Sequence, residues 1–366
     1  MKIIQIIYSL GNGGAEKFVV ELSNELSKNH SVCLYTFQKN EPWMIPPTKM
    51  NSFVHNSSLN LNKKFALKNF ICLYKIIKKQ KPQVVHIHSS VVLLNSYLLP
   101  FFFRKTKFIH TIHSTLTEQY FKVFNIISKF PFGKKKWLHV CISQGILSDF
   151  SENFKNFQFY SIDNGIAPLV TSPQNQNVKK ELNDLSKNEN NTRFLAIGNY
   201  SDFKRFDFLV EAINELNVNS NNLDLFIIGE DRSLEQNNYR KVLDKKTERI
   251  HLLGLRNNIA DYMYCADVLV LSSTHEGMPL VVLEALCMGL PIVSTPAGGI
   301  VNVVENNING FISDDFSKES FKKAITAFLK TTSKQRRVIA ENNLEKYKLQ
   351  YSMEYCTINY VHIYKH

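Results

Sequence analysis

Short runs of β-branched and aromatic residues recur along most of this chain, each followed by a stretch with helical spacing. In the first half the runs are "KIIQIIY" (2–8), "SVCLYTF" (31–37), "VVHIH" (84–88), "KFIHTIH" (107–113), "LHVCIS" (138–143) and "FQFYSID" (157–163). Between the first two, "AEKFVVELSNELSK" repeats Phe18, Leu22 and Leu26 at helical spacing. Such alternation leaves few options, because parallel strands need long crossovers and helices supply them on the faces of a sheet. The pattern breaks at "TSPQNQNVKKELNDLSKNENN" (171–191), which is polar, rich in Asn and Lys, and reads as a linker or exposed excursion. It resumes with "RFLAIG" (193–198), "LDLFIIG" (223–229), "RIHLLG" (249–254), "DVLVLSS" (267–273), "PIVST" (291–295) and "GFIS" (310–313). Residues 336–366 keep helical patterning without a further strand. The expected fold class is α/β, two Rossmann-like domains in series, and 366 residues suffice for two cores.

Several function classes are excluded early. The six cysteines are scattered, mostly inside apolar runs, with no C-x-x-C; they read as buried thiols in a reducing cytosol rather than disulfides or zinc ligands. The opening "MKIIQIIYSLGNGG" suits a strand entering a glycine loop better than a signal peptide. The longest apolar run, "VVLLNSYLLPFFF" (91–103), is too short to span a bilayer. Charge is uneven: residues 1–170 hold 21 Lys and Arg against 8 Asp and Glu, whereas the remainder is close to neutral. In the basic half, lysines mix with aromatics in "FFFRKTKF" (101–108) and "FPFGKKKW" (130–137). Such mixtures suit anionic lipid headgroups, a solvated surface or nucleic acid, in that order; no recognised nucleic-acid module organises them.

"HEGMPLVVLEALCMGLP" (275–291) carries the chemistry. The run "DVLVLSS" is a buried strand, "THEGMP" the loop at its carboxyl end, Pro279 a first-turn residue and Gly289 a helix stop. Ligands bind at the carboxyl ends of such strands. Glu276 is therefore expected in a ligand crevice, with Glu284 the lone carboxylate on an apolar helix. Either Glu284 faces water or it meets ligand hydroxyls. Backbone N–H groups from Met278 to Val281 would face an anion. A Glu-x7-Glu spacing alone means little: Glu181 and Glu189 repeat it in the polar excursion, with no strand before them.

Residues 266–299, "ADVLVLSSTHEGMPLVVLEALCMGLPIVSTPAGG", resemble the signature of glycosyltransferase family 4, retaining enzymes of cell-surface polysaccharide type with the GT-B fold. The resemblance extends to "GNGGAEKF" (11–18), "VVHIHS" (84–89), "HTIHS" (110–114), "CISQ" (141–144), "SIDNGI" (161–166) and "IGNYSDFKRFDFLVEA" (197–212). It implies two Rossmann-like sheets facing a cleft. Residues 1–168 would bind the acceptor, 169–345 the nucleotide sugar, and 346–366 would form a helical segment packing back on the first domain.

The resemblance also assigns residues. Glu284 would hold the ribose hydroxyls, Glu276 would meet the donor sugar, and Gly277, Met278, Pro279, Leu280 and Val281 would line the donor through their backbone. Lys204 would contact the diphosphate, Gly14 would approach the same phosphates, and His113 would lie near the reacting sugar. Arg256 would fall near the base. Where the family has Gly-Arg, this chain has Gly198-Asn199, and Arg205 beside Lys204 is the candidate replacement cation. "EDR" (230–232) and "GGIVNVVE" (298–305) are further departures, which bear on donor identity.

The implied activity is retaining, metal-independent hexosyl transfer from a UDP-sugar, preferred over a GDP-sugar, to a saccharide or lipid-linked saccharide. No cofactor and no metal ion are implied; there is no D-x-D motif, and Lys204 with helix-terminal amides would meet the charge on the leaving diphosphate. The expected partners are a nucleotide-sugar donor, a saccharide acceptor and an anionic membrane surface, with no nucleic acid. The expected location is the cytoplasmic face of the membrane, held peripherally by Lys134, Lys135, Lys136 and Trp137. A nucleotide-sugar epimerase or hydrolase could use the same frame. A lone histidine ending a strand is more often structural, so the family match alone promotes His113. His86 and His88 are read as facing opposite sides of their strand and as structural.

Overall fold

The computed structural model describes the chain except residues 12, 39–53, 60–66, 131–135, 174, 187, 219–221 and 232–236, and describes 54–58 by backbone alone. Two compact units result, Met1–Ala167 with Gln350–His366, and Pro168–Leu349.

The first unit runs β1 (Lys2–Ile7), α1 (Gly14–Ser27), β2 (Ser31–Thr36), β3 (Val54–Ser58), α2 (Leu67–Gln80), β4 (Val84–Ile87), α3 (Ser90–Ser96), β5 (Lys107–Ile112), α4 (Glu118–Ser128), β6 (Trp137–Cys141), α5 (Gln144–Asn153) and β7 (Phe159–Ser161). The second runs α6 (Asn175–Ser186), β8 (Thr192–Ile197), α7 (Phe206–Val218), β9 (Leu223–Ile228), α8 (Asn237–Asp244), β10 (Ile250–Gly254), α9 (Ile259–Cys265), β11 (Val268–Leu271), α10 (Leu280–Cys287), β12 (Ile292–Ser294), α11 (Ile300–Val303), β13 (Gly310–Ile312), α12 (Lys318–Leu329) and α13 (Ser333–Lys346). The last helix, α14 (Met353–Lys365), belongs to the first unit.

Among the described residues all strand pairings are parallel. The first sheet is ordered β3-β2-β1-β4-β5-β6-β7 and the second β10-β9-β8-β11-β12-β13. Both orders reverse at one point, between β1 and β4 and between β8 and β11. Helices on both faces explain why the inner strands are buried on both sides rather than alternating: β11 is Val-Leu-Val-Leu and wholly buried. In a doubly wound sheet the reversal point opens a crevice at the strands' carboxyl ends.

Two elements differ from expectation. Strand β3, "VHNSS", lacks the apolar alternation that marks a strand, because it lies at the edge of the first sheet. The polar stretch after residue 171 is a helix: α6 buries Val178, Leu182 and Ser186, a stripe at spacing four, and packs on α9. Nine polar positions of twelve hid that stripe from a composition-based reading.

Helix α14 closes the first core. Met353, Cys356, Tyr360 and Tyr364 recur at helical spacing, are buried, and join a cluster with Ile3, Phe18, Val84, Ile109 and Val140. A large apolar side chain so buried contributes about 1.5–3 kcal/mol. Gly165 permits the approach: a Cβ there would lie 2.6 Å from that of Cys356 and 2.7 Å from the Ser352 carbonyl oxygen.

Candidate functional site

In the second unit, the reversal point brings two loops together. The loop after β8 ends in a 3-10 turn, Asp202–Lys204, and the loop after β11 spans 272–279. Ser272 Oγ donates to the carbonyls of Lys204 and Arg205, at 2.7 and 3.1 Å, and Thr274 N donates to Phe203 O at 2.8 Å. So clasped, the loops place Lys204 Nζ 2.5 Å from Glu276 Oε1, which also accepts from Ser273 Oγ at 2.7 Å. Both charged side chains are largely buried, with 14% and 10% exposed. Gly198, at φ +154°, leaves room for the lysine stem; a Cβ there would stand 3.2 Å from Lys204 Cε.

The Glu276 loop is pinned from behind. At Gly298, φ is +51° and a Cβ would meet the Glu276 carbonyl oxygen at 1.8 Å; at Gly299 it would meet that of Gly277 at 2.0 Å. Gly299 N donates to Glu276 O at 3.2 Å. The dipeptide is thus required for the close approach, a role the sequence reading missed although adjacent glycines after a strand signal one.

Helix α10 begins directly after Pro279, which stands as its N-cap. The helix is apolar nearly all round and ends at Gly289, φ +65°, where Leu290 N donates back to Ala285 O. Its first-turn N–H groups, at Leu280 and Val281, lack intrahelical acceptors by geometry and carry the positive end of the helix dipole. Met278 and Pro279 are buried. Glu284, fifth in the helix, is 8% exposed and so does not form a solvent-facing stripe.

The other candidates of the second unit have different surroundings. Asn199 is exposed. Arg205 takes a left-handed backbone (φ 52°) that turns its guanidinium onto the Phe208 ring, 3.8 Å from the centroid, and toward Phe316 O at 3.3 Å. It therefore does not join Lys204. Arg256 follows edge strand β10, three strands from β11, or roughly 14 Å at ordinary spacing. It donates to Glu181 at 2.9 Å and to Tyr262 Oη at 2.7 Å. The pair set aside in the sequence thus contributes Glu181 as the partner that orients Arg256.

In the first unit, Gly14 opens α1, with Gly13 as N-cap. His113 follows β5 and donates or accepts through Nε2 with His88 Nδ1 at 3.0 Å. His88 Nε2 meets Gln5 Oε1 at 2.6 Å, and His86 bonds Tyr364 Oη and Thr111 Oγ1, each at 2.7 Å. His86 and His88 lie on one side, their ring centroids 4.0 Å apart. The expectation of opposite faces is corrected: residues two apart on a strand share a face. Burial holds His86 and His88 well below the usual imidazole range and pushes His113 down to about 3.

Trp137 is also corrected. It is fully buried, its ring edge-on to Phe108 and its Nε1 donating to Tyr97 O at 3.1 Å, because it opens β6, which lies between β5 and β7. Lys136 is exposed; Lys134 and Lys135 lie outside the described residues. Among the described residues no group of three or more His, Cys, Asp or Glu could hold a metal ion, and no helix is long and apolar enough to cross a membrane.

Residues 12–168 match the family model described as Glycosyltransferase Family 4, and residues 191–331 match Glycosyl transferases group 1. An uncharacterized glycosyltransferase of Haemophilus influenzae is 25% identical over 94% of this chain and 97% of its own. The UDP-Gal:alpha-D-GlcNAc-diphosphoundecaprenol alpha-1,3-galactosyltransferase of Escherichia coli is 27% identical over 71% of this chain and 69% of its own. Among solved structures, HepE of Anabaena in complex with UDP superposes with a TM-score of 0.80 at 19% identity, covering 100% of both chains. The chain belongs to the family 4 glycosyltransferases and has their GT-B fold.

Proposed function

We propose that this enzyme moves a hexose from a UDP-sugar to a hydroxyl of a lipid-linked saccharide in surface polysaccharide synthesis, with retention and without a metal ion. The carrying observation is the buried Lys204–Glu276 pair at the strand reversal, beside the N-terminus of α10. Cleavage of the sugar–phosphate bond leaves negative charge on the diphosphate. Lys204 and the α10 amides supply fixed positive charge there, and such preorganised charge is a large part of catalysis. Glu284 meets the ribose hydroxyls one turn further on, and Glu276 meets the sugar. Arg256, three strands away, lies toward the base. Retention comes with the family, and UDP is favoured because the names of the E. coli relative and of the HepE complex both carry it.

Glu276→Gln tests the division of roles. Turnover of UDP-sugar should fall by about 10²-fold or more, while calorimetric UDP affinity stays near wild type and activity persists in EDTA. Wild-type turnover would remove Glu276 from the reaction. Isomerised UDP-sugar in the absence of acceptor would turn the reading to an epimerase.

We place the acceptor end at a membrane on the character of one surface. Phe101 and Phe102 are exposed beside Arg104 and Lys105, and Phe102 packs edge-on against Phe70 and Tyr74 of α2. The outer face of α2 exposes Leu67, Ile71, Lys68, Lys75, Lys78 and Lys79. Phe121, Lys122, Ile126, Lys129 and Phe130 repeat the mixture on and just after α4. Lysines near anionic lipid contribute about 1 kcal/mol each, and salt screens them. The protein should cosediment with phosphatidylserine vesicles at low salt and be released at high salt. Phe102→Ser should weaken that binding and Trp137→Phe should not; a wild-type protein left in the supernatant at low salt ends the proposal.

A further inference from the structure

We infer that Gln5, His88 and Tyr364 hold His113 as the neutral tautomer protonated on Nε2, so that its Nδ1 presents a lone pair to a hydroxyl of a bound saccharide. This rests on the reading that the first unit takes part in binding a saccharide.

One buried chain of hydrogen bonds fixes where each proton along it lies. Imidazoles this thoroughly desolvated are neutral, and a neutral imidazole has one donor and one acceptor nitrogen. Gln5 lies on β1, an inner strand of the first sheet, and is fully buried. Its Oε1 faces His88 Nε2 at 2.6 Å, too close for one nitrogen to donate to another. The end of the amide toward His88 is therefore the oxygen, which has no proton to give. His88 must donate from Nε2 and accept at Nδ1. The group 3.0 Å from that Nδ1 is His113 Nε2, which must then carry the proton. His113 Nδ1 is left with its lone pair, and it is a buried atom without a hydrogen-bond partner among the described residues.

The far end of the chain is consistent with this orientation. Gln5 Nε2 donates to Tyr364 Oη at 3.4 Å, and Tyr364 donates in turn to His86 Nδ1 at 2.7 Å. His86 Nε2 then donates to Thr111 Oγ1, whose hydroxyl reaches Tyr360 Oη at 2.9 Å. No group in this sequence is asked to donate and accept with the same proton. Reversing the Gln5 amide would reverse the donor in every bond from Tyr364 to His113 and make Nδ1 a donor. Gln5, His88 and Tyr364 are positioning residues, acting on the sugar only through His113. Phe18, edge-on to His113 at 5.3 Å, fixes the ring plane.

Long-range 1H–15N correlation on the full chain labelled with 15N-histidine tests this directly, with His113→Ala supplying the assignment. At neutral pH, Nδ1 of His113 should resonate as an unprotonated nitrogen and Nε2 as a protonated one. A protonated Nδ1 overturns the inference. Gln5→Glu supplies a second arm. A carboxylate at position 5 favours a charged His88, whose Nδ1–H then donates to His113 Nε2 and moves the His113 proton to Nδ1. Turnover should fall about tenfold or more with UDP affinity unchanged. An unaltered His113 tautomer in Gln5→Glu would show the chain uncoupled and also overturn the inference. Full turnover in His113→Ala would instead remove His113 from the reaction, whatever its tautomer.

Discussion

Lys204→Ala should lower sugar transfer by about 10²–10³-fold, the usual loss when one preorganised donor to a developing anion is removed. UDP affinity should fall by roughly 1.5–3 kcal/mol, the size of a charge-assisted hydrogen bond. The lysine serves two partners. Its Nζ lies 2.5 Å from Glu276 Oε1, so the loop after β8 holds the cation beside the carboxylate. Without it, Glu276 keeps Ser273 Oγ but loses its counter-charge in a site only 10% exposed. Calorimetry with UDP and initial rates on the same preparation separate the two losses. Wild-type affinity in Lys204→Ala would displace the diphosphate from this loop and take the donor assignment with it.

Gly298→Ala should destabilise the protein by about 2–4 kcal/mol and lower turnover by more than that loss accounts for. Two penalties act at this position. The left-handed backbone costs any side chain about 1–2 kcal/mol, and a methyl group would stand 1.8 Å from the Glu276 carbonyl oxygen. Backbone cannot swing aside as a lysine tip can, so the Glu276 loop must move. Gly254 is the control: its φ is +67°, yet a Cβ there meets nothing within 4 Å. Gly254→Ala should show the conformational penalty alone. Urea unfolding of both variants, with turnover measured alongside, isolates the contribution of the contact. Equal stabilities would mean that the loop yields freely and that the glycine serves only its own conformation.

The elements were legible in proportion to how apolar they are. Inner strands such as "LDLFII" are buried on both faces and stand out from any neighbour. Strand β3 and helix α6 were missed because an edge strand, or a helix with one narrow buried stripe, needs few apolar residues. At the site, strand–loop–helix order was enough to bring Glu276 and the α10 N-terminus to one crevice. Lys204 was placed near that crevice only through family resemblance, and its contact with Glu276 was not foreseen, since 72 residues separate the partners. Arg205 shows why proximity in sequence misleads: one left-handed residue sends adjacent cations in different directions. The roles of Gly165 and Gly298 depend on which backbone passes behind them, which no local pattern records.

The placement of α14 has a consequence for synthesis. The second unit is one uninterrupted stretch, Pro168–Leu349, and all of its sheet is available once that stretch has left the ribosome. The first unit is not: residues 1–167 emerge first, yet Tyr360 and Tyr364, which complete their core and their buried hydrogen bonds, are made after the whole second unit. At roughly 5–20 residues per second the interval is on the order of 10–40 s, long against the microsecond-to-millisecond collapse of such chains. During that time the β1–β4 region must wait partly uncovered, with Gln5 and His86 facing no tyrosine. The later-made unit is thus the one that can finish folding first, and a nascent chain halted near residue 350 should bind chaperones through its amino-terminal half.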